Sequence, residues 1–245
     1  MANIKVAYLN ILGISLLAVS SENTSFPKYR LYDRDIGKLF KGTAFASPFV
    51  IYVDQEATTI YEIDRLIIPV GHNLNGLACS LRYSTDAFSG DDHEAVGWTQ
   101  GDALLIDKTF TAQTKRYWKL NVTAPATIVE LPEMFLSKIY TFERNPSYGS
   151  KVGKKKNISR NETQSGRVRR IKLGGPRLSV VYDLLILTAQ KTSFEAWDAA
   201  TEGTEYFYVW DENGIPYFME LLNDLDFTYK ANGIWNAHLE LLEVL

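Results

Sequence analysis

Between residues 59 and 122 the sequence breaks into short runs rich in β-branched and aromatic side chains: TIYEIDRLIIPV (59–70), LACSLRYS (77–84), ALLIDKTF (103–110) and RYWKLNV (116–122). Turn material such as GHNLNG and FSGDDH separates them, and no helical pattern intervenes. That spacing predicts an antiparallel sandwich. MFLSKIYTFE (134–143) reads as its closing strand, and the composition changes sharply at Arg144-Asn145-Pro146. The expected boundary follows: one domain over 1–143, a second over 144–245. Ahead of the first sandwich, Ile4 to Val19 is largely apolar. Asn10 interrupts that run, no A-x-A-like cleavage site follows, and it is too short to span a bilayer, so a first β-strand is expected there and no membrane insertion.

The second half continues in strands. RVRRIKL (167–173) and RLSVVYDLLIL (177–187) precede TSFEAWDAATEG (192–203), which predicts one short α-helix. Thr192 with Glu195 three residues on has the form of a capping box, and Gly203 of a terminator. EYFYVWDENGIPYFMEL (205–221) predicts a hairpin turning at Asn213-Gly214. DFTYKA and IWNAHLELLEV close the chain as strands. The fold class is thus mainly β, two antiparallel sandwiches with one short helix in the second.

Charge is arranged in blocks. From Lys151 to Arg177 there are ten Lys or Arg and one acid, Glu162, a balance of +9 in a chain whose net charge is −3. From Glu195 to Leu245 there are eleven acids and one base, Lys230, a balance of −10. The glycines at 149, 153 and 166 predict that the basic block projects as a long mobile loop, over about 148–166. An overall acidic chain is not built as a dedicated nucleic-acid binder. The basic block lacks aromatic interleaving apart from Tyr148, so base stacking finds no support.

Catalytic patterns are missing from the sequence. His72, His93 and His238 are far apart, and no HExxH, CxxC, G-x-S-x-G or phosphate loop occurs. Asp91-Asp92-His93-Glu94 is the densest group of potential metal ligands, but such a run between strands reads first as a solvated loop. No enzyme activity, metal or cofactor is expected. Cys79, a single cysteine among apolar neighbours, reads as a small buried hydrophobe.

Two resemblances add to this reading. AVSSEN (18–23), LYDRD (31–35), IDRLIIP with GHNLNG (63–76), RYSTD (82–86) and RYWKLNV (116–122) occur in the order found in discoidin-like, galactose-binding-like sandwiches, over roughly 1–140. Phe45 stands where such modules often carry Trp, and their terminal cysteine pair is absent. The resemblance implies glycan contact by the N-terminal domain, with Trp98, Tyr117 and Trp118 as stacking candidates that serve equally as core. Over 141–245, SGRVRRIKLGGPRLSVVYDLL, the helix around Trp197, the aromatic hairpin and the closing W-x-x-x-L-E-L-x-E-V strand resemble phage tail proteins of the tail-tube and distal or minor tail type. That resemblance implies a structural component of the virion tail, assembled in the bacterial host cytoplasm. It would form a ring, usually a hexamer, with other tail or baseplate proteins as neighbours and DNA passing through without sequence-specific binding. A ring needs two different, complementary surfaces, and the opposed charge blocks supply candidates. The expected interface residues are Lys151, Lys154, Lys155, Lys156, Arg160, Arg167, Arg169 and Arg170 on one side and Asp224 and Asp226 on the other. The alternative reading is a carbohydrate-binding protein that uses the discoidin-like domain.

Overall fold

The computed structural model describes residues 3–43, 48–56, 59–125, 127–144, 146, 150–156, 158–162, 168–172, 175–201 and 205–244. They form two compact units. One is Leu9–Ile139, and the other joins Met1–Tyr8 to Tyr140–Leu245. The first unit is therefore an insertion in the second, where the sequence alone divides the chain once, at 143/144. Strand β1 (Lys5–Ala7) belongs with the C-terminal residues. The apolar run of 4–19 is accordingly not one strand. It is β1, a 3-10 turn over Ile11–Ile14 capped by the Asn10 side chain, and β2 (Leu16–Val19) of the inserted unit.

The inserted unit continues with β3 (Phe40–Lys41), β4 (Phe49–Asp54), β5 (Glu62–Ile68), β6 (Ala78–Ser84), β7 (His93–Thr99), β8 (Ile106–Thr114), β9 (Tyr117–Val122), β10 (Glu130–Leu131) and β11 (Phe135–Ser137). An antiparallel five-stranded sheet runs β2-β4-β9-β6-β7, a three-stranded one runs β11-β5-β8, and β10 pairs β3. Alternation decides which side chains go inside. Ile51, Val53, Leu81, Trp118, Leu120 and Val122 of the larger sheet meet Ile63, Leu66, Ile68, Ile106 and Leu136 of the smaller one in a single core. The unit is closed at its ends by one amide. Asn10 is buried; its Oδ1 accepts the amides of Leu12 (3.3 Å) and Leu136 (3.2 Å), and its Nδ2 donates to the Met134 carbonyl at 2.9 Å.

The second unit adds β12 (Tyr140–Thr141), β13 (Lys151–Lys155), β14 (Ile158–Glu162), β15 (Val168–Lys172), β16 (Arg177–Leu187), helix α1 (Thr188–Thr201), β17 (Phe207–Trp210), β18 (Pro216–Leu221), β19 (Asp226–Ala231) and β20 (Ile234–Glu243). Its eight-stranded sheet runs β12-β1-β17-β18-β20-β16-β13, with β19 also on β20, and all pairings are antiparallel. The structure is mainly β throughout, with α1 the one α-helix among the described residues, in agreement with the sequence. The Asn213-Gly214 turn forms as predicted: Gly214 adopts φ +77°, and Asp211 Oδ1 accepts the amides of Asn213 and Ile215.

Two expectations are corrected. The basic segment is not a free loop where it is described. Residues 151–155 are an edge strand on β16, every one of them exposed, and 158–162 pair with 168–172 as a separate antiparallel ribbon. Lysines on an edge strand discourage further pairing, which is a reason for β13 to be basic. Tyr148, Gly149, Gly166 and Arg167 lie outside the described residues, as does Gly203.

The helix begins earlier than Thr192. β16 runs straight into α1, and Gln190 Oε1 reaches back to accept the Leu187 amide at 3.2 Å, which is half of a capping box one turn upstream of the expected one. Glu195 instead pairs with Lys191 at 2.9 Å. Spaced three apart, Phe194 and Trp197 turn one helical face onto the sheet. Phe194 stacks on Phe142 at 4.9 Å between centroids, and Trp197 meets Phe207 edge-on at 4.9 Å.

These packing assignments set stability. Trp197→Ala should cost about 3–5 kcal/mol, because the indole is 2% exposed. Thr192→Ala, an exposed mid-helix change, should stay within about 0.5 kcal/mol. Asn10→Ala strips partners from a buried carbonyl and two amides and should destabilise by at least about 2 kcal/mol. Urea denaturation of the three variants checks all of these, and a Thr192 effect equal to that of Asn10 would contradict the assignment of the helix start.

Candidate functional site

Four strands of the five-stranded sheet carry a row of polar and aromatic residues. The register pairs Tyr52 with Lys119, Lys119 with Arg82, and Arg82 with Glu94. Their chain neighbours Ile51, Val53, Trp118, Leu120 and Leu81 belong to the core, so alternation places the row on the opposite face. The β6–β7 connection, residues 85–92, brings two more groups to it. Asp92 accepts Arg82 Nε at 2.7 Å and Lys119 Nζ at 2.8 Å, while Arg82 Nη1 reaches Glu94 at 3.3 Å. Lys119 Nζ lies 4.0 Å from the centre of the Phe88 ring, and the Tyr52 ring meets Phe88 edge-on at 6.1 Å.

Phe88 is held there against its backbone preference. Ala87 and Phe88 sit at φ 57° and 66°, in the left-handed region, which side chains with a Cβ enter at a cost of order 1 kcal/mol or more each. The loop is tied to compensate. The buried Ser84 hydroxyl accepts the amides of Asp86 (3.0 Å) and Phe88 (2.9 Å), and the Asp86 carboxylate accepts those of Ser89 and Asp91. Thr85 donates twice to Asp91. The Ser84 hydroxyl, followed by the backbone amides, holds Asp86 below the usual carboxylate range. Burial raises Asp92, but Lys119 and Arg82 outweigh it and keep that carboxylate below its ordinary value too. The result is a preset array: two cations, two carboxylates and two aromatic rings. Beside it, Gly97 makes room for Glu94, since a Cβ at 97 would stand 2.6 Å from Glu94 Oε1.

Other expected residues land elsewhere. Trp118 is fully buried and donates Nε1–H to the Lys115 carbonyl, so it cannot stack on a ligand. Trp98 and Tyr117 are half-buried, under Lys108 and beside Arg116 respectively. The Asp91–Glu94 run makes no metal cluster. Its members are engaged by Thr85, Arg82, Lys119 and His93, and among the described residues no group of three or more His, Cys, Asp or Glu is placed to hold a metal. His72 and His238 are tied to Leu104 and Asp183. Cys79 is buried, and burial pushes its thiol up to about 12, as a small core hydrophobe requires. Phe45 lies outside the described residues.

The charge-block residues are not brought together within the chain. Lys151, Lys154 and Lys155 are on β13, with Lys156 just after it, Arg160 is on β14, and Arg169 and Arg170 are on β15. Asp224 precedes β19 and Asp226 opens it, both exposed. Strands β16 and β20 lie between β13 and β19.

No protein-family model matches the sequence. No curated protein matches it. Among solved structures, similar ones include chitosan-binding module 1 of a chitosanase/glucanase from Paenibacillus sp. IK-5, at 20% identity and TM-score 0.46, covering 53% of this chain and 99% of that one. Module 2 of the same enzyme, in complex with chitotriose, matches at 21% identity and TM-score 0.44, over 53% of this chain and all of that one. A family 32 carbohydrate-binding module of Clostridium perfringens NanJ, in complex with galactose, matches at 13% identity and TM-score 0.45, over 55% and 99%.

One acid of the inserted unit titrates far from its usual range. Glu133 is fully buried, and that burial, opposed by the Arg34 guanidinium, pushes its carboxyl up to about 8. A carboxyl that keeps its proton on folding, while the unfolded chain releases it near 4.5, stabilises fully below about 4.5. That stabilisation is lost as pH rises through about 8, by an amount on the order of a few kcal/mol. The melting temperature of the wild type should therefore fall between pH 5 and pH 8 more steeply than that of Glu133→Gln, and the two variants should differ most at the alkaline end. Parallel melting curves over that range would contradict the assignment.

Proposed function

We propose that this chain is a carbohydrate-binding protein whose inserted unit, 9–139, takes a glycan at the Tyr52–Lys119–Arg82–Glu94 row. The observation that carries the reading is Phe88, fixed in a left-handed backbone by a loop whose polar groups are spent on holding it. A sugar offers C–H faces that pack on aromatic rings and hydroxyls that both donate and accept. Phe88 and the 43% exposed Tyr52 supply the former, and Arg82, Lys119, Asp92 and Glu94 the latter. The four charges sum to zero, which suits a neutral glycan better than an anionic one. The order of motifs over 1–140, resembling discoidin-like sandwiches, supports the same class. The role is one of binding and requires no catalytic group.

A second reading concerns the other unit, as a structural component of a bacteriophage or phage-like tail. It rests on the resemblance of 141–245 to tail proteins, and the basic edge strand β13 offers one of the two different surfaces that a heterologous ring contact needs. The two readings are compatible, since they concern different units. Particle imaging of the protein with tail neighbours tests it.

The glycan reading is tested on a neutral-glycan array with the intact protein. Phe88→Gly keeps the left-handed backbone and removes the ring. It should weaken binding at least about tenfold, or ~1.4 kcal/mol, with the melting temperature unchanged or raised. Arg82→Ala should weaken binding similarly, leaving Asp92 held by Lys119 alone. If the wild type binds nothing across the array, or Phe88→Gly binds as well as wild type, the site assignment fails.

A further inference from the structure

The ribbon β14–β15 poses a problem of stability. Each strand has five residues and, among the described residues, pairs only with the other, and a lone two-stranded ribbon is marginal in water. Its sequence is basic, with Arg160, Arg169, Arg170 and Lys172 against Glu162. Ile158, at its base, is 42% exposed. An anionic surface with an apolar floor would suit both its charge and its apolar base.

The 1–8/140–245 unit contains such a surface. A cleft of about 200 Å³ opens between β13, β16, β17, β18 and the 211–213 turn. That volume equals the share of about six or seven waters in the liquid, room for a long side chain but not for a folded element. Its floor is apolar, with Val180, Val209 and Met219, and two carboxylates, Asp211 and Glu212, stand at its rim. No Lys, Arg or His is among the residues lining it. Asp211 is occupied with the amides of its own turn, whereas Glu212 has no hydrogen bond or ion pair among the described residues and is half-buried. The acids also make themselves felt inside the cleft. Burial first, and then Glu212 and Asp211, push the Tyr182 phenol upward. A site with an apolar floor and an acidic rim selects a cation on an aliphatic stem.

We propose that the cleft receives an Arg or Lys side chain from the β14–β15 ribbon of a second copy of this chain, so that copies associate head to tail. The ribbon carries Arg160, Arg169, Arg170 and Lys172 against one acid, Glu162, and the cleft carries the complementary sign. Asp224 and Asp226 are the weaker candidates. Both are exposed; Asp226 shares β19 with Lys230 and faces His238, whose imidazole is raised by its hydrogen bond to Asp183 and so favours its own positive form. The contact uses two different surfaces, so it propagates and can close into a ring or continue as a filament. It is independent of the glycan reading, which concerns the other unit.

Charge reversal with the intact protein tests this by sedimentation velocity and native mass spectrometry at low and physiological salt. The wild type should associate with increasing concentration, less so as salt rises. Glu212→Lys alone should weaken association at least about tenfold, as should Arg160→Glu with Arg170→Glu. Mixing those two variants should restore it, because each then offers what the other lacks. Restoration also shows that both are folded. Asp226→Lys should leave association near the wild-type level. A wild type that stays monomeric at all concentrations, or a Glu212→Lys variant that associates like wild type, overturns the proposal. So does a mixture that fails to associate although both variants melt as the wild type does, or association that tracks Asp226 instead of Glu212.

Discussion

The architecture rests on the side-chain amide of Asn10. A unit inserted into another must begin and end close together, because β1 and β12, the strands that flank the insertion, are neighbours in one sheet with Lys5 opposite Thr141 and Val6 opposite Tyr140. Asn10 meets that demand from within the insert. It holds the amides of Leu12 and Leu136 and the carbonyl of Met134, joining residues more than 120 positions apart. In a buried setting each of these backbone groups would otherwise go unpaired, at about 1–3 kcal/mol apiece. The same carboxamide thus satisfies the 3-10 turn that follows β1 and the strand that precedes β12. An Asp could accept the two amides but could not donate to Met134, so the residue type is determined by the geometry.

With its ends closed, the insert can tolerate strain in its loops. The 85–92 connection spends Ser84, Asp86, Thr85 and Asp91 on fixing a left-handed pair at Ala87 and Phe88, none of which adds to the core. Strain of this kind persists only where its surroundings over-determine it. The β6–β7 bulge at Leu81/Arg82 works in the same direction, shifting Arg82 opposite Glu94 and toward Asp92. A loop that merely joined two strands would need none of this. For the proposed glycan site, an array ordered in advance would lower the entropic cost of binding, because the side chains are already held.

How much of this can be read from residues alone follows from the range of each interaction. The strands of 62–68, 78–84, 106–114 and 117–122 were legible because alternation and turn residues are local, and so was the Asn213-Gly214 turn. The helix was legible in kind but not in its start. Thr192 and Glu195 have the spacing of a cap, yet Gln190 reaches Leu187 first because β16 enters the helix without a loop. β1 was not legible, since its partners at 140–141 and 208–210 are distant in sequence and three residues carry no periodicity. Nor was the candidate site: Asp92 reads as part of a solvated acidic run until the register places Arg82 and Lys119 beside it. Asn10 is the sharpest case, a polar break in an apolar run whose distant partners, Met134 and Leu136, only the fold supplies.

The charge blocks show why net charge alone locates no interface. Summed over sequence, +9 and −10 suggest two surfaces that meet. In the fold, the acids of the second block disperse among several roles: Glu220 pairs with Arg177, Glu195 with Lys191, Glu240 contacts His238, and Asp211 shapes a turn. Each of these is spent locally. Most exposed pairs of this kind contribute under about 1 kcal/mol and dictate no partner. The basic block is placed differently: β13 is an edge strand with every residue exposed, and among the described residues β14 and β15 pair only with each other. What distinguishes Glu212 among the described acids of the block is therefore not its charge but its setting: half-buried, at the rim of an apolar cleft, with neither a cation nor, unlike Asp211, turn amides of its own. A carboxylate that has given up part of its hydration without gaining a partner is where a basic side chain from outside gains most.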